Sequence, residues 1–351
     1  MSATSEQNSD TPLKDWEDSS AVPLSESDAS CKPVEELWFS DGTLVLVAGT
    51  SMFRVYGGLL AKHSPVFGHM LESPQSDDAE LIDGTPVVHL ADNQDDLKYF
   101  LSALIDYEFF GAFPATTTFD TIAGIIRLSK KYEVGSLRKR ALIHLSSAFP
   151  MTREEFPASP SWTLPPTQWI RVILLAREMS LDWILPTAFY QLLENPTPSQ
   201  LVDGINIDGV QFELAPQDRL RAIEQSIVIC RRASAEIVYS LWGPAHMVGC
   251  YHYNTKQRAS SCSTGRLESR KVVETRMKEN VFPMNLWTAE YFTAMDVCNG
   301  CRYKMQPAHQ EAVDVFWAGL PERFGLPGVG CPETDEGRLY GLDHRYSFSF
   351  F

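Results

Sequence analysis

Several things are scarce in this sequence, and each scarcity narrows what the chain can do. No apolar run approaches the roughly 18–20 residues that a membrane helix needs, so no membrane partner is expected. Cysteine is sparse, with seven in 351 residues, too few and too scattered to read as a disulfide framework. Positive charge is in deficit: 30 Lys and Arg stand against 45 Asp and Glu, a net charge of -15. Such a field repels nucleic acid unless a local basic patch reverses it, so nucleic acid is not an expected partner. Reactive constellations are missing too. There is no Gly-x-Ser-x-Gly elbow, no phosphate-binding loop and no His-Glu-x-x-His. Gly328-Val-Gly330 lacks the strand-turn-helix context of a dinucleotide site and reads as a turn. The eight histidines form no legible triad. A catalytic role is therefore not expected.

Residues 1–36 carry nine acids against two bases (Lys14 and Lys32), are rich in serine and have no apolar periodicity. Such a segment does not repay its ordering entropy by burial, and it is expected to be a disordered acidic tail. The first residues also lack the basic and apolar regions of a secretory signal, which points to the cytoplasm or nucleus.

From Leu37 onward the pattern is that of an α+β unit. Thr43–Val47 is β-branched and apolar throughout, as in a buried strand, and Ser51–Tyr56 alternates. A turn at Gly49–Ser51 makes the two a hairpin. Helical spacing covers Gly58–Lys62 and Pro65–Leu71, with Ser64 as cap and Pro65 in the first turn. Gln75–Gly84 reads as a loop and Pro86–Leu90 as a third strand. Asp95–Ile105 and Phe119–Tyr132 carry apolar stripes at helical spacing, and a further helix begins at Ser136. Phe53, Val55, Leu60, Phe67, Leu101, Ile125 and Leu137 are the expected core.

Four pieces in order resemble the BTB/POZ domain, and more narrowly the fungal BTB-domain proteins. They are Asp41-Gly-Thr-Leu-Val-Leu-Val47; Phe53 through Leu71 with Ser64-Pro-Val-Phe67 at its heart; Val87 to Asp92 followed by Phe100 to Tyr107; and Leu128 to Leu137. The resemblance covers residues 37–148. It implies a small three-stranded sheet covered by helices, and a protein-interaction function through self-association or scaffold binding. A homodimer and a cullin ubiquitin-ligase scaffold are the partners it suggests. It also marks Asp41, Tyr56, Ser64 and Phe67 as partner-binding candidates. Tyr56 stands where the family usually has histidine, a change of size and geometry in any pocket built around that position.

The remainder is expected to form a Pro-rich linker at 149–166, a helical extension at 167–248, a Cys-containing region at 249–327 and a tail at 328–351. Helical spacing runs through Thr167–Met179, Leu181–Leu193 and Arg219–Arg232. Phe316–Pro327 has the apolar spacing of a segment that docks on the preceding domain, and the aromatic end (Tyr346, Phe348, Phe350, Phe351) reads as packing back.

Cys298-Asn-Gly-Cys301 is the only Cys-x-x-Cys pair, with an Asn-Gly turn dipeptide between the sulfurs. Zinc asks for about four ligands in tetrahedral array. Cys250, His252 and Cys262 lie upstream, and the quartet that suits a structural zinc is Cys250, Cys262, Cys298 and Cys301. A two-Cys-two-His finger is excluded, since His309 lies too close to Cys301 and no histidine follows it at finger spacing. Two other readings stay open: ordinary buried cysteines, and a redox dithiol, which wants a strand before the motif and a helix after it. Finally, residues 256–278 hold seven bases and two acids. They read as a solvated helix face or as a nucleic-acid contact, the latter making the chain a nuclear regulator.

Overall fold

The computed structural model describes residues 31–72, 80–149, 161–194, 197–229, 234–242, 250, 259–279 and 282–326. The chain is mixed α+β. Strand β1 (Lys32–Trp38) comes first, followed by β2 (Leu44–Ala48) and β3 (Ser51–Val55). Helices α1 (Gly57–His63) and α2 (Pro65–Glu72) form a helical hairpin; β4 (Leu81–Ile82) and β5 (Thr85–Leu90) follow. Then come α3 (Gln94–Ile105), α4 (Phe119–Lys131) and α5 (Gly135–Ser146).

The sheet has five strands in the order β1-β3-β2-β5-β4, where three were expected. Two strands escaped the sequence reading. β4 is two residues long and is closed on β5 by a turn at Asp83 and Gly84, both at positive φ. β1 begins inside the segment expected to be disordered. It runs parallel to β3, with Lys32 opposite Ser51, and buries Leu37 at its end. Its Glu35 and Glu36 lie on an edge strand where charge is tolerated, which is why composition alone misread it. β2 is central, antiparallel to β3 and parallel to β5, and all five of its residues are buried. A strand covered on both faces reads as an unbroken apolar run, as Leu44-Val-Leu-Val does. Gly49, at φ +55, makes the tight turn into β3.

The helices follow from their caps and stripes. Asn93 caps α3, its side chain accepting from the backbone N–H of Asp95 and Asp96. Thr118 caps α4 in the same way through Thr121. All seven expected core residues are buried, none more than 4% exposed.

The second half is helical: α6 (Trp169–Met179), α7 (Leu185–Leu193) and α8 (Pro198–Asp203), with a 3-10 turn at Pro166–Gln168 preceding them. A hairpin of β6 (Ile205–Ile207) and β7 (Val210–Phe212) leads to α9 (Pro216–Val228) and α10 (Ser234–Trp242). Last come α11 (Ala259–Lys278), α12 (Ala289–Ala294), α13 (Asn299–Ala318) and α14 (Leu320–Arg323). The expected linker ends as part of the core: Trp162 is buried against Phe119, Phe149 and Trp169. Residues 150–160, which hold three of its prolines, lie outside the described residues.

One apolar core runs without a break from Leu37 through α3–α7 to Leu326. Arg177 on α6 grips the buried Asp218 of α9 with two bonds, at 2.9 and 2.8 Å, tying the helical layer together. The segment after α13 docks as expected. Phe324 stacks on Phe189 at 5.0 Å and Phe316 meets Tyr190 edge-on at 5.8 Å. The aromatic chain end and the rest of the expected tail lie outside the described residues.

Candidate metal centre and interaction face

The four cysteines singled out by spacing converge. The sulfurs of Cys250, Cys262, Cys298 and Cys301 all lie within 4.8 Å of one another. Cys250 and Cys298 are 3.9 Å apart. Three pieces of chain bring them together. Cys262 sits in the first turn of α11, Cys298 is the N-cap of α13 and Cys301 lies in the first turn of α13. Asn299 and Gly300 are already helical, so the Asn-Gly dipeptide makes no tight turn. The pair faces one point for another reason: an N-cap and the third residue of its helix share a side, as in a capping box.

Close packing holds α11 against the segment that leads into α13. Gly265 of α11 lies so near the Asp296 carbonyl that a methyl group there would overlap it. The Cys298 N–H donates to the Cys262 sulfur at 3.3 Å. Around the sulfurs lies a second apolar cluster of Val238, Val273, Leu286, Trp287, Phe292 and Met305. Arg276 braces it by donating to the carbonyls of Asn285 and Leu286 and to the Tyr291 hydroxyl. Gly265, Asp296 and Arg276 carry no ligand chemistry, and nothing in the sequence singled them out. Their contribution depends on contacts nine or more residues away.

Cys262 and Cys301 are buried, whereas Cys250 and Cys298 are half-buried. Burial pushes the thiols of Cys262 and Cys301 up from the ordinary range. A thiol so placed gives up its proton to a cation bound directly to sulfur. Zinc–thiolate bonds near 2.3 Å correspond to sulfur separations of roughly 3.5–4 Å, and the cluster is close to that spacing. It is too tight for an iron–sulfur cluster, whose thiolates are spread apart by the cluster's own edges. A thioredoxin-like dithiol is disfavoured: a helix follows the motif, but residues 295–298 before it form no strand. His309 does not join the four sulfurs; its Nε2 pairs with the Trp287 carbonyl at 3.1 Å. His252 lies outside the described residues.

The basic stretch is largely consumed by structure. Arg266 is buried, and Arg276 is held as above. Arg270 pairs with Glu274 and Lys271 with Glu268, each at 2.7 Å. Lys256 and Arg258 lie outside the described residues. Among the described residues, no unbroken row of free cations is left for a phosphate backbone.

The four partner-binding candidates divide. Asp41 is exposed and Tyr56 half-buried; the Tyr56 hydroxyl donates to the Asp41 carboxylate at 2.8 Å, and the Tyr56 ring lies 5.1 Å from Phe39. These two form a surface feature at the start of α1. Ser64 and Phe67, in contrast, are fully buried within the chain. The Ser64 hydroxyl donates to the Tyr132 carbonyl at 2.6 Å and accepts from the Phe67 N–H at 3.1 Å. Both side chains serve contacts inside the fold, which leaves Asp41 and Tyr56 as the candidates that reach the surface.

A cleft of about 1150 Å³ lies between α3, α4, α6 and β7. Most of its charges are paired within it: Arg127 bridges Asp96 and Glu178, Lys131 meets Asp92, and Arg171 meets Asp120. No helix of the described residues is long and apolar enough to cross a membrane. The sequence matches no protein-family model and none of the curated proteins with which it was compared.

Proposed function

We propose that the chain is a non-catalytic protein-interaction adaptor, with a BTB/POZ-type unit near its N-terminus and a C-terminal unit built on one structural zinc. The succession of elements between residues 44 and 146 carries the first half of this reading. A strand hairpin, a helical hairpin, a returning strand and three more helices follow the order of the resembling segments. The Ser64–Phe67 corner clamps the helical hairpin to the end of α4, which is a structural use of that motif. Recognition in such a unit rests on surface shape and a few anchors, and Asp41 with Tyr56 supplies one exposed candidate.

The tetrathiolate cluster supports the second half. Its ligand set is that of a closed structural zinc site, with no position left for substrate. A cytoplasmic or nuclear location, as the sequence leads one to expect, would keep these thiols reduced. The nucleic-acid reading is the weaker one, since two of the seven bases, Arg266 and Arg276, are turned inward.

Affinity purification of the full chain with mass spectrometry tests the adaptor reading. Specific recovery of protein partners, or of a second copy, supports it, and a cullin among them selects the ligase-adaptor alternative. A strict monomer that retains no partner sinks it. Elemental analysis tests the metal: about one zinc per chain is expected, and a zinc-free preparation made under reducing conditions removes it.

A further inference from the structure

We propose that the cysteine cluster is an oxidant-labile clasp in which Cys250 and Cys298 join as a disulfide and release the metal. This rests on the tetrathiolate reading above and names the regulation of that site. The four sulfurs are not equivalent. Cys262 and Cys301 are 4% and 1% exposed and belong to the apolar cluster around Trp287 and Met305. Cys250 and Cys298 are half-buried and lie on the solvent side. Their sulfurs are 3.9 Å apart, so a covalent bond requires an approach of roughly 2 Å. A small oxidant therefore reaches one particular pair, and that pair lies within closing distance.

The oxidant is hydrogen peroxide. Cys298 sits at the N-terminus of the long helix α13, half-buried on the solvent side of the cluster. Its sulfur attacks the peroxide: an S–O bond forms, the O–O bond breaks, and the leaving hydroxide takes a proton and departs as water. The product is a sulfenic acid. The Cys250 thiolate then attacks that sulfur. The S–S bond forms, the S–O bond breaks, and a second hydroxide leaves as water. The two sulfurs lose two electrons, which the peroxide gains, while the zinc stays divalent throughout. Left with two ligands, the zinc departs as Cys262 and Cys301 take up protons.

The full chain, reduced and zinc-loaded, is titrated with hydrogen peroxide. Released zinc is followed with a chromogenic chelator, and disulfides are mapped by mass spectrometry. One zinc released per Cys250–Cys298 disulfide is expected, reversed by dithiothreitol plus zinc. The Cys250→Ser chain should accumulate sulfenic acid at Cys298, seen with a dimedone probe. Zinc retained at peroxide levels that oxidise a free cysteine peptide overturns the clasp. So does a disulfide mapped to Cys298–Cys301 or Cys262–Cys301. In either case the metal reading stands. A preparation that holds no zinc before peroxide is added overturns the metal reading itself, and the clasp with it.

Discussion

The Phe67 ring stacks on Tyr132 with centroids 4.3 Å apart, across 65 positions of sequence, and a hydrogen bond from Ser64 to the Tyr132 carbonyl runs beside it. Tyr132 ends α4 and its hydroxyl reaches Asp92 after β5. One tyrosine thus joins the helical hairpin, the sheet and the late helices.

Loss of that junction is costly. Phe67→Ala should destabilise the chain by about 3–5 kcal/mol, the usual cost of emptying a large aromatic site. Ser64→Ala should cost about 1–3 kcal/mol, since it removes a helix cap and leaves a buried carbonyl without its donor. Urea denaturation followed by circular dichroism measures both. A change under 0.5 kcal/mol for Phe67→Ala is the outcome that contradicts the packing, about the range of neutral surface substitutions.

Truncation separates the acidic segment from the strand that follows it. Removal of residues 1–30 should leave the thermal midpoint unchanged if the segment adds no buried surface. Removal of residues 1–38 deletes β1, exposes the β3 edge and strips Leu37 from the core. It should lower the midpoint by several degrees, about 4 °C or more per kcal/mol lost in a small domain and less in a larger one. Equal midpoints for the two truncations, read by differential scanning fluorimetry, contradict the edge-strand role.

His144 gives a pH dependence. It is fully buried, with Nδ1 at 2.9 Å from the Ser161 hydroxyl and Nε2 at 2.9 Å from the Gly111 carbonyl. Burial, with a lesser contribution from the nearby Arg140, outweighs the Gly111 bond and holds its proton affinity below the ordinary imidazole value of 6.5. The unfolded chain therefore takes up this proton first as pH falls. The contribution to stability is complete above pH 6.5 and is lost as pH falls through that value toward the lower folded one. Stability measured between pH 7.5 and about 5 should decline in the wild type and decline less in His144→Gln. Identical slopes overturn the assignment.

Metal removal should act locally. Chelation under reducing conditions should unravel the start of α11 and the first turns of α13, because ligand binding energy there is folding energy. Phe316 and Phe324 anchor the far end of α13 and the segment after it in the main core. Hydrogen exchange should therefore rise around residues 262–265 and 298–302 and stay low at 313–324. Gly265→Ala, which collides with the Asp296 carbonyl, should weaken zinc retention without touching a ligand. Uniform exchange along α13 after chelation contradicts this division.

The proposed interaction face is tested by Asp41→Ala and Tyr56→Ala. Both residues sit at the surface, so stability should change by less than about 1 kcal/mol, the worth of one exposed hydrogen bond. Any self-association seen by light scattering should weaken. Unchanged association with either variant moves the contact elsewhere.

Sequence by itself determined the elements whose signal is local. The unbroken apolar run of β2, the stripes of α3 and α4, and the Ser64 cap depend on neighbours a few positions away, and each lies where its periodicity put it. The cysteine quartet was legible for the same reason: few cysteines, one close pair, and a chemistry that asks for four. Tertiary structure decided the rest. β1 and β4 are edge elements too polar or too short for periodicity to reveal, and they exist because a neighbouring strand supplies hydrogen bonds. Ser64 and Phe67 read as recognition residues until Tyr132, far along the chain, closed over them. The seven bases of 256–278 read as one charge block until folding sent Arg266 and Arg276 inward and paired Arg270 and Lys271 with their neighbours. The sulfurs needed Gly265 and Asp296 to lie in contact before their chemistry had a geometry. In each case the deciding partner lies distant in sequence, and only packing brings it near.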